Sequence, residues 1–395
     1  MVVAYKADGD KAVIHKLRGV ESNRKIDNKI EKRAIEILSQ EQCLDFGPTY
    51  ASEHLAGAHK IEVNRETVRQ WMVKAGLWKV GRRGREQIHV WRARRSRFGE
   101  LVQWDTSEHD WLEGRGPKLY LIAMIDDATS RAVARFATGD TTEANMDLME
   151  MWLRRYGRPG AYYTDKAGLF QTAEKRKRDE PGVDKDPKQM PPTQIGRSLK
   201  ELTIIWIGAH SPQAKGRIER FFETAQDRLV KGMRLAKVRT LEQAQRYLQE
   251  QYLPWWNKTC TVAAASSEDA HRPLEQHHDL AAVLSHVEDR QVKTDYTIQL
   301  DGKFYVIERA DICTGLRGAT VRVEKRRDGT LAIRFGVKYL RYRKCEQPQP
   351  VAKSKPAARA GKGPNAGGKS AWMKNFHDKP GPSIGKAIAL SNATS

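Results

Sequence analysis

The sequence predicts a multidomain chain: an all-α N-terminal domain of helix-turn-helix form, a central α/β core on a mixed five-stranded sheet, a small C-terminal β-barrel and a disordered basic tail. Three observations predict it. Apolar residues recur at helical spacing from Ile30 to Met72, strand-like and helical runs alternate from Leu101 to Tyr252, and short strands with Asp-Gly turns follow from Tyr296. The chain has 395 residues, 39% of them hydrophobic, enough for about two to three domains with packed cores.

Charge narrows the partners. Lysine and arginine number 70 against 49 acidic residues, a net +21, which calls for a polyanion, nucleic acid first. Cys43, Cys260, Cys313 and Cys345 have neither the paired spacing of a zinc site nor the density of a disulfide scaffold, so free thiols in a reducing compartment are expected. No apolar run is long enough to cross a bilayer and the first residues lack a signal-peptide core, so a soluble intracellular protein without a membrane partner is expected.

Taken in order, residues 1–26 form a polar, basic N-terminal segment. The helix-turn-helix domain is placed at 27–78. Ile30, Ala34, Ile37 and Leu38 define one helix, Asp45-Phe46-Gly47-Pro48-Thr49 breaks the pattern, and Tyr50, Ala51, His54 and Leu55 resume it. A third helix starts at the N-cap Asn64, buries Val68, Trp71 and Met72 and stops at Gly76. Its outward residues Arg65, Glu66, Arg69 and Gln70 suit a major groove, against the alternative of a solvated face on a small bundle. The linker 79–97 carries Arg82, Arg83, Arg85, Arg92, Arg94, Arg95 and Arg97 with one acid, Glu86, and would track phosphates.

The core is placed at 98–258. Strands are expected at 101–105, 119–125 and 132–136, then a helix capped by Thr141 or Thr142 and ended at Gly157-Arg158-Pro159-Gly160, then a strand at 161–165. Residues 171–192 are too polar to pack and predict a mobile loop. A helix near 193–202, a strand at 203–207 and a helix opening with Ser211 as N-cap and Pro212 at its first position complete the mixed sheet. A connecting segment, 259–294, leads to the barrel at 295–345 and the cationic tail at 346–395.

Three acids stand out. Asp105 and Asp165 end apolar strands, and Glu219 lies in the first turns of the helix after the last strand. Carboxylates there are costly unless exposed, paired or bound to a cation. Oxygen ligands without histidine or cysteine suit Mg2+ or Mn2+, and two ions could serve an in-line phosphoryl transfer. Lys215, Gly216, Glu219 and Glu223 share a helix face, with Lys215, Arg217 and Arg220 placed for phosphates; the plainer reading is a surface helix laced with ion pairs.

Four stretches in order, Gln103-Trp104-Asp105-Thr106-Ser107, Ile125-Asp126-Asp127-Ala128-Thr129-Ser130-Arg131, Tyr163-Thr164-Asp165-Lys166 and His210 to Arg220, resemble the catalytic core of insertion-sequence transposases of the retroviral integrase superfamily. The resemblance runs from about Phe98 to Trp256 and extends upstream through the linker and helices. It implies a ribonuclease H-like core, with Asp105, Asp165 and Glu219 as catalytic metal ligands. It makes Asp126 and Asp127 turn residues and leaves Glu223 outside the matched motif. Lys166, Lys215 and Arg217 are expected at phosphates, with Arg65, Arg69, Gln70, Arg82, Arg83, Arg92, Arg94 and Arg95 on DNA. His109 and His210 are weighed as proton-transfer aids and read instead as packing or hydrogen-bonding residues.

The implied activity is that of a DNA transposase: binding the terminal inverted repeats of its element, cleaving at the ends with metal-activated water, and joining the 3′-hydroxyls to target DNA. A homo-oligomer assembled on double-stranded DNA in the bacterial cytoplasm, associated with the nucleoid, follows from pairing two ends. No residue speaks for or against an ATPase partner. Rival expectations are a ribonuclease H-like nuclease that does not join, or an inactive DNA-binding repressor. Family chains carry a further helix-turn-helix ahead of a segment like Tyr5 to Asp10, so a truncated transposase lacking a first DNA-binding unit is the remaining expectation.

Overall fold

The computed structural model describes residues 26–79, 93–165, 192–208 and 215–345. Residues 1–25, Arg82, Arg83 and Arg92 of the linker, Lys166, nearly all of the polar loop 171–192, Ser211, Pro212 and the tail lie outside the described residues.

Three helices open the described chain. The helix α1 (Asn28–Leu38) begins where the Asp27 carboxylate accepts the Lys29 N–H; α2 (Pro48–His59) has proline in its first turn; α3 (Arg65–Lys74) begins where Asn64 accepts the Glu66 N–H at 2.8 Å. Ala34, Leu38, Phe46, Leu55, Val68 and Met72 close one core between them.

The central sheet comprises β1 (Leu101–His109), β2 (Leu119–Asp126), β3 (Ala132–Ala137), β4 (Ala161–Thr164) and β5 (Ile205–Gly208), in the order β3-β2-β1-β4-β5. The first three are antiparallel neighbours; β4 runs parallel to β1 and β5 to β4. Helices cover both faces. Leu119, Leu121, Ala123 and Ile125 of β2 pack under α6 (Gly216–Leu235), α7 (Leu241–Tyr247) and α8 (Leu253–Thr259). Ile122 and Met124 pack under α4 (Thr142–Tyr156) and α5 (Gln194–Glu201). Burial on both faces explains why β2 reads as an unbroken apolar run. This mixed sheet between helical layers fits an integrase-type, ribonuclease H-like core.

Two expectations are corrected. Asp105 stands in the middle of β1, because the strand continues to His109 along β2 alone. The helix carrying Glu219 has Lys215 as its N-cap residue and starts at Gly216. Lys215 supplies no side-chain cap; the Gln103 side chain reaches across from β1 and its Oε1 accepts the Ile218 N–H at 3.2 Å.

After α8 the chain doubles back as a strap along the residues that enter the core. The Val262, Ser266 and Ala270 N–H groups donate to the carbonyls of Thr129, Ser96 and Phe98, and Arg272 pairs with Arg158 through both backbone groups. His271 packs on Phe98, Trp152 and Tyr156. Gly99 beneath it has φ +78°, and a Cβ there would fall 2.2 Å from the His271 ring. A short helix, α9 (Leu280–Val283), then leads to two further sheets. One has β6 (His286–Gln291), β9 (Thr320–Lys325), β10 (Leu331–Phe335) and β11 (Lys338–Leu340); the other has β7 (Thr297–Leu300), β8 (Lys303–Ile307) and β12 (Tyr342–Cys345). They share a core of Val292, Ile298, Leu300, Ile307, Val321, Val323 and Ile333. The strand β6 falls where the sequence predicts only a connection. It is an edge strand with a single apolar residue, Val287, so no apolar alternation announces it.

Candidate active site

The parallel register pairs Gln103 of β1 with Tyr163 of β4, and carried on by two residues it sets Asp105 beside Asp165. Residues two apart on a strand share a face, so Gln103 and Asp105 both look toward the start of α6. There the Lys215 ammonium lies 3.2 Å from Asp105 Oδ1 and 4.0 Å from Asp165 Oδ2. Lys215 is buried, Asp105 half-buried and Asp165 exposed. Among the described residues, a Cβ on Gly216 would meet nothing within 4 Å.

Electrostatics ties the three acids together. Burial lifts the Asp105 carboxyl above its ordinary value; Lys215 opposes the shift and Asp165 adds to it. Glu219 is also raised, by burial first and then by Asp105 and Glu223, again opposed by Lys215. Two carboxylates share one ammonium and Glu219 feels the charges of Asp105 and Lys215; a bound cation would relieve the mutual repulsion. This all-oxygen donor set fits Mg2+ or Mn2+.

Asp126 and Asp127 lie at the turn where they are expected, yet both side chains are wholly buried. Asp126 accepts the Gly99 N–H at 2.9 Å and both the N–H and hydroxyl of Thr129 at 2.7 Å; burial raises its carboxyl. Asp127 accepts Gln103 Nε2 at 2.9 Å on Oδ1 and the Arg95 N–H at 2.8 Å on Oδ2. Arg217, expected at phosphates, donates its Nε to the Asp127 carbonyl at 2.8 Å and lies 3.4 Å from Oδ1, with its side chain largely buried. Arg94 likewise turns inward, to the Asp127 and Ala128 carbonyls and the Ser130 hydroxyl.

Arg65 and Gln70 are exposed on α3, and Arg69 forks onto Glu66 at 2.6–3.0 Å. His109 packs edge-on against Trp111; His210 lies outside the described residues. Gln103 escaped the sequence reading because one amide in an apolar strand carries no periodic signal.

Among the described residues the three acidic or histidine side chains whose potential ligand atoms all lie within 4.8 Å of one another are Glu275, His277 and His278, away from this corner; Asp105, Asp165 and Glu219 are spaced more widely. His278 Nδ1 accepts the Glu275 N–H at 3.1 Å, which leaves the ring proton on Nε2, and Glu275 Oε1 takes Arg158 at 2.7 Å. Glu275 and His278 Nδ1 are thus engaged within the protein, while the buried His278 Nε2 has no hydrogen-bond partner among the described residues.

No family model matches the chain. Among known proteins it is 37% identical over 347 residues to "Putative transposase y4bF" of Sinorhizobium fredii, covering 87% of this chain and 73% of that protein. It is 25% identical over 342 residues to "Transposase for insertion sequence IS1202" of Streptococcus pneumoniae, covering 77% and 70%. Among solved structures, the catalytic core domain of BIV integrase is 18% identical with a TM-score of 0.26 over 39% of this chain and 85% of that one. A simian T-cell lymphotropic virus intasome in complex with a PP2A regulatory subunit is 11% identical with a TM-score of 0.32, over 80% and 100%. Overlays this loose leave the fold to rest on its own strand order.

Proposed function

The chain belongs to the insertion-sequence transposases with an integrase-type core, and from that premise we propose that it cleaves phosphodiesters at the ends of its element and joins the freed 3′-hydroxyls to target DNA. The observation that supports this reading is the pairing of Lys215 with both Asp105 and Asp165 at the start of the helix that carries Glu219. In it Asp105, Asp165 and Glu219 hold two Mg2+ or Mn2+ ions. When bound, the ions supply charge stabilisation to the attacking and leaving oxygens of an in-line displacement. The protein's part is to aim the carboxylates, to keep a cation at hand in Lys215, and to hold the duplex. Cleavage and joining are both displacements at phosphorus, so one site serves both.

The surroundings divide the work of holding DNA. In this reading α3 enters a major groove with Arg65, Arg69 and Gln70, the Arg-rich linker with Arg82, Arg83, Arg92 and Arg95 tracks phosphates, and Lys166 and Lys215 flank the scissile strand, while Arg94 and Arg217 are engaged within the protein. The domain boundaries follow: helix-turn-helix 27–78, linker 79–97, core 98–258, connection 259–294, barrel 295–345. Two ends need two active sites, so a homo-oligomer forms on DNA.

The test is a labelled duplex carrying the repeats that flank the gene, incubated with supercoiled plasmid and Mg2+, comparing wild type with Glu219→Gln. Specific nicking followed by joined product, both falling by at least about a hundredfold in the variant, is expected. Nicking without joining would turn the reading to a nuclease. Binding without either would turn it to an inactive repressor.

A further inference from the structure

One buried carboxylate outside the proposed ligand set touches both the strand that carries Asp105 and the helix that carries Glu219. Asp127 is wholly buried, which is costly for a charge without close partners. Its partners sit on three separate parts of the chain: Gln103 on β1, Arg217 in the first turn of α6, and the backbone of Arg95 at the end of the linker.

The spacing of these partners gives the arrangement its meaning. Gln103 precedes Asp105 by two residues on the same face of β1, and Arg217 precedes Glu219 by two in the same helical turn. Gln103, itself wholly buried, spends its Nε2 on Asp127 and its Oε1 on the Ile218 N–H. Its amide is thereby fixed in one orientation, and it caps a helix whose own N-cap residue provides nothing. The strand with Asp105 and the helix with Glu219 are joined through a single network, Gln103–Asp127–Arg217. A shift of either element past the other would break at least two of its hydrogen bonds.

We propose that Asp127 is a positioning residue, setting the separation of Asp105 and Glu219 by holding Gln103 and Arg217, and carrying the end of the DNA-binding linker on its other oxygen. The proposal rests on the reading of Asp105, Asp165 and Glu219 as metal ligands. Groups that orient metal ligands without touching the ion are worth about 10- to 100-fold in affinity or activity.

The experiment compares full-length wild type, Asp127→Asn, Arg217→Lys and Asp105→Asn. Each is titrated with Mn2+ alone, counting free ion by electron paramagnetic resonance, alongside its melting temperature and its affinity for the end duplex. Arg217→Lys keeps the charge near Asp127 and loses the planar fork. Asp127→Asn keeps an acceptor for Gln103 and loses the charge. Both are expected to bind Mn2+ about 10- to 100-fold more weakly. A merely structural role would lower the melting temperature and leave the Mn2+ affinity of the folded protein as in wild type, and that result overturns the proposal. Should Asp127→Asn fail to fold, Arg217→Lys decides by the same criterion. If Asp105→Asn also binds Mn2+ like wild type, the metal reading falls and the proposal with it; if Asp105→Asn alone weakens binding, only the positioning role falls.

Discussion

At the scale of the residue, Asp105 shows what the site asks of its surroundings. Its carboxyl is raised above the ordinary 3.8 by burial, despite Lys215. An acid that holds its proton more tightly when folded favours the folded state below pH 3.8, and that contribution is lost as pH rises through the raised value. In chelator, the melting temperature of Asp105→Asn should therefore fall less between pH 4 and pH 7 than that of wild type. Parallel melting curves across that range would disprove the shift. Metal affinity has the opposite dependence, since binding needs the ionised carboxylate, and it should weaken as pH falls.

Much of this corner was legible in the sequence. Asp105 and Asp165 were visible as charges at the ends of apolar runs, and spacing put Lys215 and Glu219 on one helix face. Gln103 and the inward direction of Asp127 were not, because both depend on contacts between segments far apart in the chain. A turn with Asp-Asp-Ala-Thr-Ser looks the same whether its carboxylates face water or the core.

At the scale of the element, local chemistry was a good guide wherever an end was marked. Asn64 caps α3, Thr141 caps α4 and Gly157 follows α4 with φ +93°. Elements whose ends are set by partners were harder, as α6 and β6 show. Arg158, just beyond α4, is buried and joins the strap to the sheet, donating to the carbonyls of Pro273 and Leu202, the Thr203 hydroxyl and Glu275. Arg158→Met leaves those acceptors unpaired and should cost about 3 kcal/mol, read from the urea midpoint of the core transition. A change below about 0.5 kcal/mol would show that the strap is held by its backbone alone.

At the scale of the whole molecule, the long helix α6 serves two masters. Its start carries Glu219; farther along, Arg228 pairs with Glu53 and stacks 4.4 Å over Trp255, and Arg234 grips Asp45 at 2.6 and 2.9 Å and also Glu113. The helical domain is thus held to the core largely by ion pairs, which salt weakens. Replacing both Arg228 and Arg234 by alanine should enlarge the radius of gyration in small-angle scattering while the core melts as before. An unchanged radius would place the attachment in the apolar contact of Leu235 with the helical core instead.

The strap has a consequence for how the molecule is made. Residues 96–98, through which the N-terminal domain enters the core, take their backbone partners from residues 266–270. A ribosome delivers those partners more than 160 residues later, after every strand of the central sheet has emerged. The N-terminal helices can therefore fold first, while the stretch that leads from them into the core is fastened only after the central sheet has been completely translated.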